Sequence, residues 1–259
     1  MNYAKIHDDI VKWIKESWFA LAGKKVVIGI SGGKDSTVCA ALLAEALGPE
    51  NIIGVMMPNG EQKDIADSHQ VIEMLGIKGI KINIGDSYEA LTKQFEELDA
   101  ANKPLYSTNT PARLRMATLY GVAACVDGVV CNTCNLSEDW VGYSTKWGDA
   151  VGDFSLLNKL TKTEVVALGD YMKLPKEFVH KAPSDGMCGK TDEDNLGFTY
   201  DQLDAYIRSQ PRYNIFNEYN SRPDIPQEVI NKIEKMHANP NTKKKCIELD
   251  SPLIFATAF

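Results

Sequence analysis

Apolar positions along the chain fall into short β-branched runs and longer stretches at helical spacing, and the two kinds alternate. Residues 3–21 set Ile6, Ile10, Trp13, Ile14 and Phe19 near one helical face and predict an amphipathic lead helix. Lys24 to Ile30 is a β-branched run ending in Ser-Gly-Gly, and an Ala- and Leu-rich helix follows from Ser36 to Leu47. Strands over Asn51 to Met57 and Ile80 to Ile84 continue the pattern, with helices over Asp64 to Leu75 and Tyr88 to Leu98. A long helix from Thr110 to Cys125 carries Arg113 and Arg115 and leads into a fourth strand, Gly128 to Cys131. Thr161 with Glu164, and Thr199 with Gln202, have capping-box spacing at the heads of helices that reach Met172 and Ile207. Pro226 suits the first turn of a last helix ending near His237. The alternation predicts an α/β fold, a doubly wound parallel sheet with helices on both faces.

Two segments, 132–160 and 174–198, show no clear period and are rich in Gly, Asp, Ser and Thr. Long stretches of that kind in a compact domain are expected to serve as binding loops or lids. The simplest division of the 259 residues is a single domain, 1–259. A formal charge of -7 argues against nucleic acid as the main partner, since affinity for a polyanion comes from clustered Lys and Arg, yet it leaves room for a small anion in one pocket. The first residues alternate apolar with charged and lack the pattern of a signal peptide, and no run of about 18 apolar residues predicts a membrane span. The six cysteines lack the dense spacing of a disulfide framework, so a cytoplasmic location is expected.

Candidate chemistry begins with Ser31-Gly32-Gly33-Lys34-Asp35-Ser36, between a strand and a helix. Backbone N–H groups and the positive end of the helix converge there, and paired glycines let an anion come close to the backbone. Ser31, Ser36 and Thr37 offer hydroxyls as further donors. The spacing fits neither a Walker A loop nor a dinucleotide fingerprint. Asp35 would repel a phosphate unless a cation stood between them, which makes it a candidate Mg2+ ligand and the ligand a nucleotide–metal complex. The hexapeptide resembles the pyrophosphate loop of the N-type ATP pyrophosphatases, which split ATP into AMP and pyrophosphate. That superfamily includes NAD, GMP and asparagine synthetases and tRNA sulfur-transfer enzymes.

Further segments narrow the resemblance. Met57 to Gln62, Asn109 to Met116, Asn135 to Glu138, Gly142 to Asp149 and Asp192 to Gly197 with Tyr200 and Asp204 are similar in order and spacing to the motifs of the NAD synthetase family. The resemblance covers roughly residues 20 to 210 and implies an adenine nucleotide alpha hydrolase-like fold. It implies Asp35 and Glu138 as ligands of Mg2+ and counts Lys162 with them as catalytic, a point charge for the ATP phosphates. It implies ATP contacts from Gly29, Ile30, Ser31, Gly32, Gly33, Lys34, Asp35, Ser36, Gln62, Thr133, Lys162 and Ser184. Arg113, Lys146 and Asp153 match positions that hold deamido-NAD, and Lys243 is an approximate match. Singly, Arg113 and Lys146 would read as solvated charges and Asp153 as a turn residue; the shared spacing is what speaks for them.

The implied reaction is ATP-dependent amidation of deamido-NAD through an adenylated nicotinate, in a homodimer. With residues 20–210 assigned, no room is left for an amidase domain, so ammonia is the implied nitrogen donor. The sequence departs from the family at Asn132, where Gly is usual, at Met56, where Arg is common, and at Leu156, where Pro is common. Two other readings remain open at this stage. Cys131-Asn132-Thr133-Cys134 has the gap of a metal or redox pair and is compatible with a tRNA sulfur-transfer enzyme, Cys188 being the nearest further ligand. A nucleotide-binding protein without turnover is the other.

Overall fold

A computed structural model describes residues 1–20, 24–62, 65–181, 191–214 and 224–238. In chain order its main elements are α1 (Tyr3–Ala20), β1 (Lys25–Gly29), α2 (Lys34–Leu47), β2 (Ile52–Met56), α3 (Ile65–Leu75), β3 (Lys78–Lys81), α4 (Gly85–Gln94) and α5 (Pro104–Val126). There follow β4 (Gly128–Asn132), α6 (Leu136–Val141), β5 (Phe154–Ser155), α7 (Lys162–Tyr171), α8 (Lys176–Val179), α9 (Asp192–Leu196), α10 (Tyr200–Ser209) and α11 (Gln227–His237). Every strand pair is parallel, in the order β3-β2-β1-β4-β5.

The central strands are buried on both sides, which is why they read as continuous β-branched runs. Val26, Ile28 and Ile30 face a core that also holds Val38 and Leu42 of α2 and Val165 and Leu168 of α7, together with apolar residues of α1. Val27, Ile53, Val55 and Val130 face the opposite way, against Met116, Leu119, Val122 and Ala123 of α5. Gly54 and Gly79 let α3 come close to the sheet, since a Cβ at either would stand about 3 Å from the side chain of Ile72. The order of strands reverses beside β1: its chain continues to β2 on one side, whereas β4 arrives on the other from α5. A crevice at the carboxyl ends of β1 and β4 results, the usual ligand position in an open α/β sheet.

Three expectations are revised. The third strand is Lys78–Lys81, earlier in the chain than the run Ile80 to Ile84, and pairs Val55 with Ile80. Helix α5 starts at Pro104 and continues through Pro111, which lacks the N–H that would bond the carbonyl of Ser107. The segment 132–160 contains α6 and β5. No helix among the described residues is long and apolar enough to cross a membrane.

A smaller apolar cluster lies beyond the sheet and joins Leu136 and Trp140 of α6, Leu203 and Ile207 of α10, and Ile230 and Ile233 of α11. Arg208 fastens it to the main layer. Its Nε donates to Glu164 Oε1 at 2.7 Å, and its two Nη atoms donate to the carbonyls of Tyr213 and Lys159, each at 2.7 Å. The second Nη also reaches Glu164 Oε2. Arg208 and Glu164 are almost wholly buried, so removing one leaves the other charged group without an answer. Arg208→Ala is expected to lower the free energy of unfolding by roughly 3–5 kcal/mol. Urea denaturation checks this; a loss under about 1 kcal/mol would mean that water reaches Glu164.

Candidate active site

The loop after β1 is shaped by its own hydroxyls. Ser31 Oγ and Ser36 Oγ lie 3.1 Å apart, Gly33 N–H donates to Ser31 Oγ at 3.2 Å, and Ser36 and Thr37 hydroxyls donate to the Gly33 carbonyl at 3.1 and 2.8 Å. Gly32 is left-handed at φ 73°, and a Cβ there would stand 2.7 Å from Asp67 Cβ and 3.0 Å from Ser68 N. The first turn of α3 therefore limits the path of the loop, and only glycine satisfies both constraints.

Lys34 and Asp35 are the first two residues of α2. Across the crevice, Asn135 caps α6 by accepting from the N–H of Glu138 at 3.1 Å, and its Nδ2 donates to Asp35 Oδ1 at 2.9 Å. One residue thus braces both carboxylates expected to hold a cation, since the backbone N–H of Asn135 also donates to Glu138 Oε2 at 3.4 Å. Lys162, the first residue of α7, reaches Glu138 Oε1 at 3.1 Å and Asp192 Oδ2 at 3.2 Å. Its ammonium also sits 4.1 Å from the centre of the Tyr200 ring. Asp192 and Tyr200 open α9 and α10, and the Tyr200 hydroxyl donates to Asp192 Oδ2 at 3.3 Å.

Electrostatically, the site holds three carboxylates, Asp35, Glu138 and Asp192, against two ammonium groups, Lys34 and Lys162. Burial, then the charge of Asp35, pushes Glu138 up to about 8, with Lys162 pulling the other way. Burial works against the charge of Lys162, yet Glu138, Tyr200, Asp35 and Asp192 together hold its pKa above the ordinary lysine value. Lys34, buried and near Lys162, is shifted down. The shortage of positive charge thus falls on Glu138. Hard carboxylate oxygens from two elements, short of a counter-charge, fit a divalent cation of the Mg2+ kind.

The other expected residues distribute as follows. Gly29 closes β1, and Ile30 extends its pairing by donating to the Val55 carbonyl at 2.9 Å. Gln62 lies after β2 in a segment braced by Asn83, which bonds Gly60 twice, and by Arg115, whose Nε donates to the Met57 carbonyl at 3.0 Å. Thr133 directly follows β4, half-buried. Arg113 and Lys146 come together on the surface, where Arg113 Nε donates to the Lys146 carbonyl at 3.2 Å. Asp153 accepts from Val130 N–H at 2.7 Å and from the Tyr120 hydroxyl at 3.1 Å. Ser184, Lys243 and Cys188 lie outside the described residues.

Cys131 and Cys134 are buried; their thiols donate to the carbonyls of Asn132 and Asp149, an arrangement of packing. Among the described residues no group of three or more His, Cys, Asp or Glu forms a metal site of its own. Sequence reasoning gave no role to Asn135, Ser137, Asp192 or Tyr200, although the motifs containing them were recognised. Ser137 Oγ, bonded to Asp204, accepts the N–H of Lys162 at 2.9 Å, and Asp204 accepts that of Thr163 at 2.8 Å. These bonds tie the start of α7 to α6 and α10.

The family model for NAD synthase matches residues 6–246. An NH3-dependent NAD+ synthetase from Pyrococcus furiosus is 37% identical over 95% of this chain and 93% of its own length. One from Finegoldia magna is 39% identical over 80% and 85%. Among solved structures, an NMN synthetase from Francisella tularensis superposes with a TM-score of 0.82 at 30% identity, covering 95% of this chain and 98% of that one. An NH3-dependent NAD synthetase from Campylobacter jejuni, in complex with the nitrate ion, gives 0.75 at 26% identity over 95% and 99%.

Burial pushes the Asp204 carboxyl up to about 6, against about 3.9 for an unfolded aspartate. Between these values the folded chain binds a proton that the unfolded chain does not, so this group favours folding at low pH and the advantage is lost as pH rises through 6. The stability of wild type relative to Asp204→Asn is therefore expected to be higher at pH 5 than at pH 7 by about 1 kcal/mol. Paired urea titrations at the two pH values measure the difference, and no change between them would contradict the burial argument.

Proposed function

The chain belongs to the NAD synthase family, and on that premise we propose that it uses ATP to amidate the nicotinate carboxylate of deamido-NAD, with ammonia as nitrogen donor. The observation that carries this reading is the meeting of Asp35, Glu138, Lys34 and Lys162 at the head of α2, beside a glycine loop and at the reversal of strand order. Enzymes of the family use ATP and generally need a divalent metal. The finer assignment is Mg2+, which Asp35 and Glu138 would hold and which would supply positive charge for the departing pyrophosphate.

The chain's residues have distinct tasks. Gly29 to Ser36 cradle the phosphates, Lys162 sets a point charge against them, and Gln62, Thr133 and Ser184 complete the ATP contacts. An oxygen of the nicotinate carboxylate attacks the α-phosphorus, the bond to the β-phosphate bridge breaks, and pyrophosphate leaves. Ammonia then attacks the activated carbonyl, AMP departs with the electron pair of the carbon–oxygen bond, and nitrogen releases a proton. Arg113 and Lys146 answer the phosphates of the dinucleotide, with Lys243 as a further cation. Asp153, already accepting two hydrogen bonds, has lone pairs left for a sugar hydroxyl.

Free ammonia as donor is supported by the match to ammonia-dependent relatives along almost their whole length. A homodimer in the cytoplasm completes the proposal: Leu105 and Trp147, 78% and 51% exposed, offer apolar surface to a second copy, and cysteines that form no disulfide among the described residues suit a reducing compartment. A second reading is favoured by the likeness to the NMN synthetase, namely that the carboxylate arrives on a mononucleotide.

Pyrophosphate release with ATP, ammonia and either acid decides between the two, and deamido-NAD is expected to give a kcat/KM at least about tenfold higher. Release with neither acid, despite ATP binding, would favour a protein without turnover. Asp35→Asn and Glu138→Gln are each expected to lower Mg2+-dependent kcat by roughly a hundredfold or more. Near-normal turnover in either variant removes that residue from the metal assignment. Light scattering at micromolar concentration tests the dimer, which a single monomeric mass would refute.

A further inference from the structure

Lys162 has more partners than a phosphate-binding lysine needs. Only 7% of its side chain is exposed, yet its ammonium meets Glu138 at 3.1 Å, Asp192 at 3.2 Å and the Tyr200 ring at 4.1 Å. These partners form two groups. Glu138 stands on the side of Asp35, linked to it through Asn135. Asp192 and Tyr200, from α9 and α10, form the second, joined by the hydrogen bond from the tyrosine hydroxyl.

Their own placement is well determined. Thr191 caps α9 by accepting from the N–H of Asp194 at 3.2 Å, Thr199 caps α10 by accepting from Gln202 at 3.2 Å, and the N–H of Tyr200 donates to Glu193 at 2.8 Å. A divalent cation that takes Glu138 removes one of the two carboxylates that neutralise Lys162. A buried ammonium left without a counter-charge would oppose that exchange strongly. A carboxylate and a ring face that remain in place reduce the opposition, since an aromatic ring attracts a desolvated cation.

We propose that Asp192 and Tyr200 are positioning residues that form a permanent second seat for the Lys162 ammonium, so that the lysine occupies the cation place at Glu138 and yields it to the metal without losing its pairing. This rests on the reading of Glu138 as a metal-binding carboxylate. Lys162 is then both a competitor of the metal and a cation ready for the phosphates, and the second seat sets how hard it competes.

Mn2+ binding to the nucleotide-free chain, followed by electron paramagnetic resonance of the free ion, tests the exchange. Turnover of the wild type with ATP, deamido-NAD and ammonia is measured in parallel, and circular dichroism establishes that each variant is folded. Lys162→Met, which removes the competitor, is expected to tighten Mn2+ by roughly tenfold. Asp192→Asn is expected to weaken it by about the same factor and Tyr200→Leu by a few-fold, while Tyr200→Phe, which keeps the ring but loses the hydroxyl bond to Asp192, falls between Tyr200→Leu and wild type. In the Lys162→Met background, Asp192→Asn should lose most of its effect. An equal loss in both backgrounds would make Asp192 a long-range charge and overturn the proposal, as would unchanged affinity in Lys162→Met. A wild type that binds Mn2+ but does not turn over would defeat the functional reading instead, with the cation exchange at Glu138 still measured by the same titrations.

Discussion

The first N–H groups of a helix have no partners within it, and each helix start carries a partial positive charge. Among the described residues five such starts, those of α2, α6, α7, α9 and α10, supply the charged side chains and the ring of the site. Lys34, Lys162, Asp192 and Tyr200 are first residues of their helices, Asp35 is a second and Glu138 a third. That field favours the carboxylates and opposes the lysines, whose positive charge the carboxylates answer. The site is in this sense a balance struck between helix ends and side chains, with the Lys162 ammonium at its centre.

Capping makes the balance rigid. Four of the five helices begin with a capping box, in which the third residue reaches back to the N–H of the cap. Glu138 takes part in one of these boxes through Oε2 and faces Lys162 through Oε1. Its orientation is therefore set by the fold before any ligand comes near, which is the preorganisation that electrostatic catalysis requires. Of the five, α2 alone begins without a side-chain cap; its cap residue is Gly33, in the glycine loop after β1.

Much of this was legible from the residues alone. The strand, glycine loop and helix from Lys24 to Leu47 are readable because both-face burial leaves an unbroken β-branched run and because paired glycines between strand and helix mark the loop, where Gly32 is left-handed. The capping boxes at Thr161 and Thr199 marked α7 and α10. By contrast, α6 spans six residues and β5 two, too few for either period to emerge. The third strand was placed late because Lys78 and Gly79 are exposed edge residues and carry no apolar signal. The partners of Lys162 stayed hidden for a different reason: Glu138, Asp192 and Tyr200 are brought to it from helices far apart in sequence, and nothing local in an Asp or a Tyr announces such a contact.

Asn132 is the last residue of β4, and its side chain ties down the chain that follows. It donates to the carbonyls of Asp149 and Val151 at 2.7 and 3.4 Å and accepts from Cys134 N–H at 2.9 Å, while a Cβ on Gly152 would collide with its backbone at 2.7 Å. Residue 132 and the stretch 149–152 are thus held together as one structural unit. An exchange that left residue 132 without an amide would strand three backbone groups at once, so the end of β4 and the stretch 149–152 can be replaced only together.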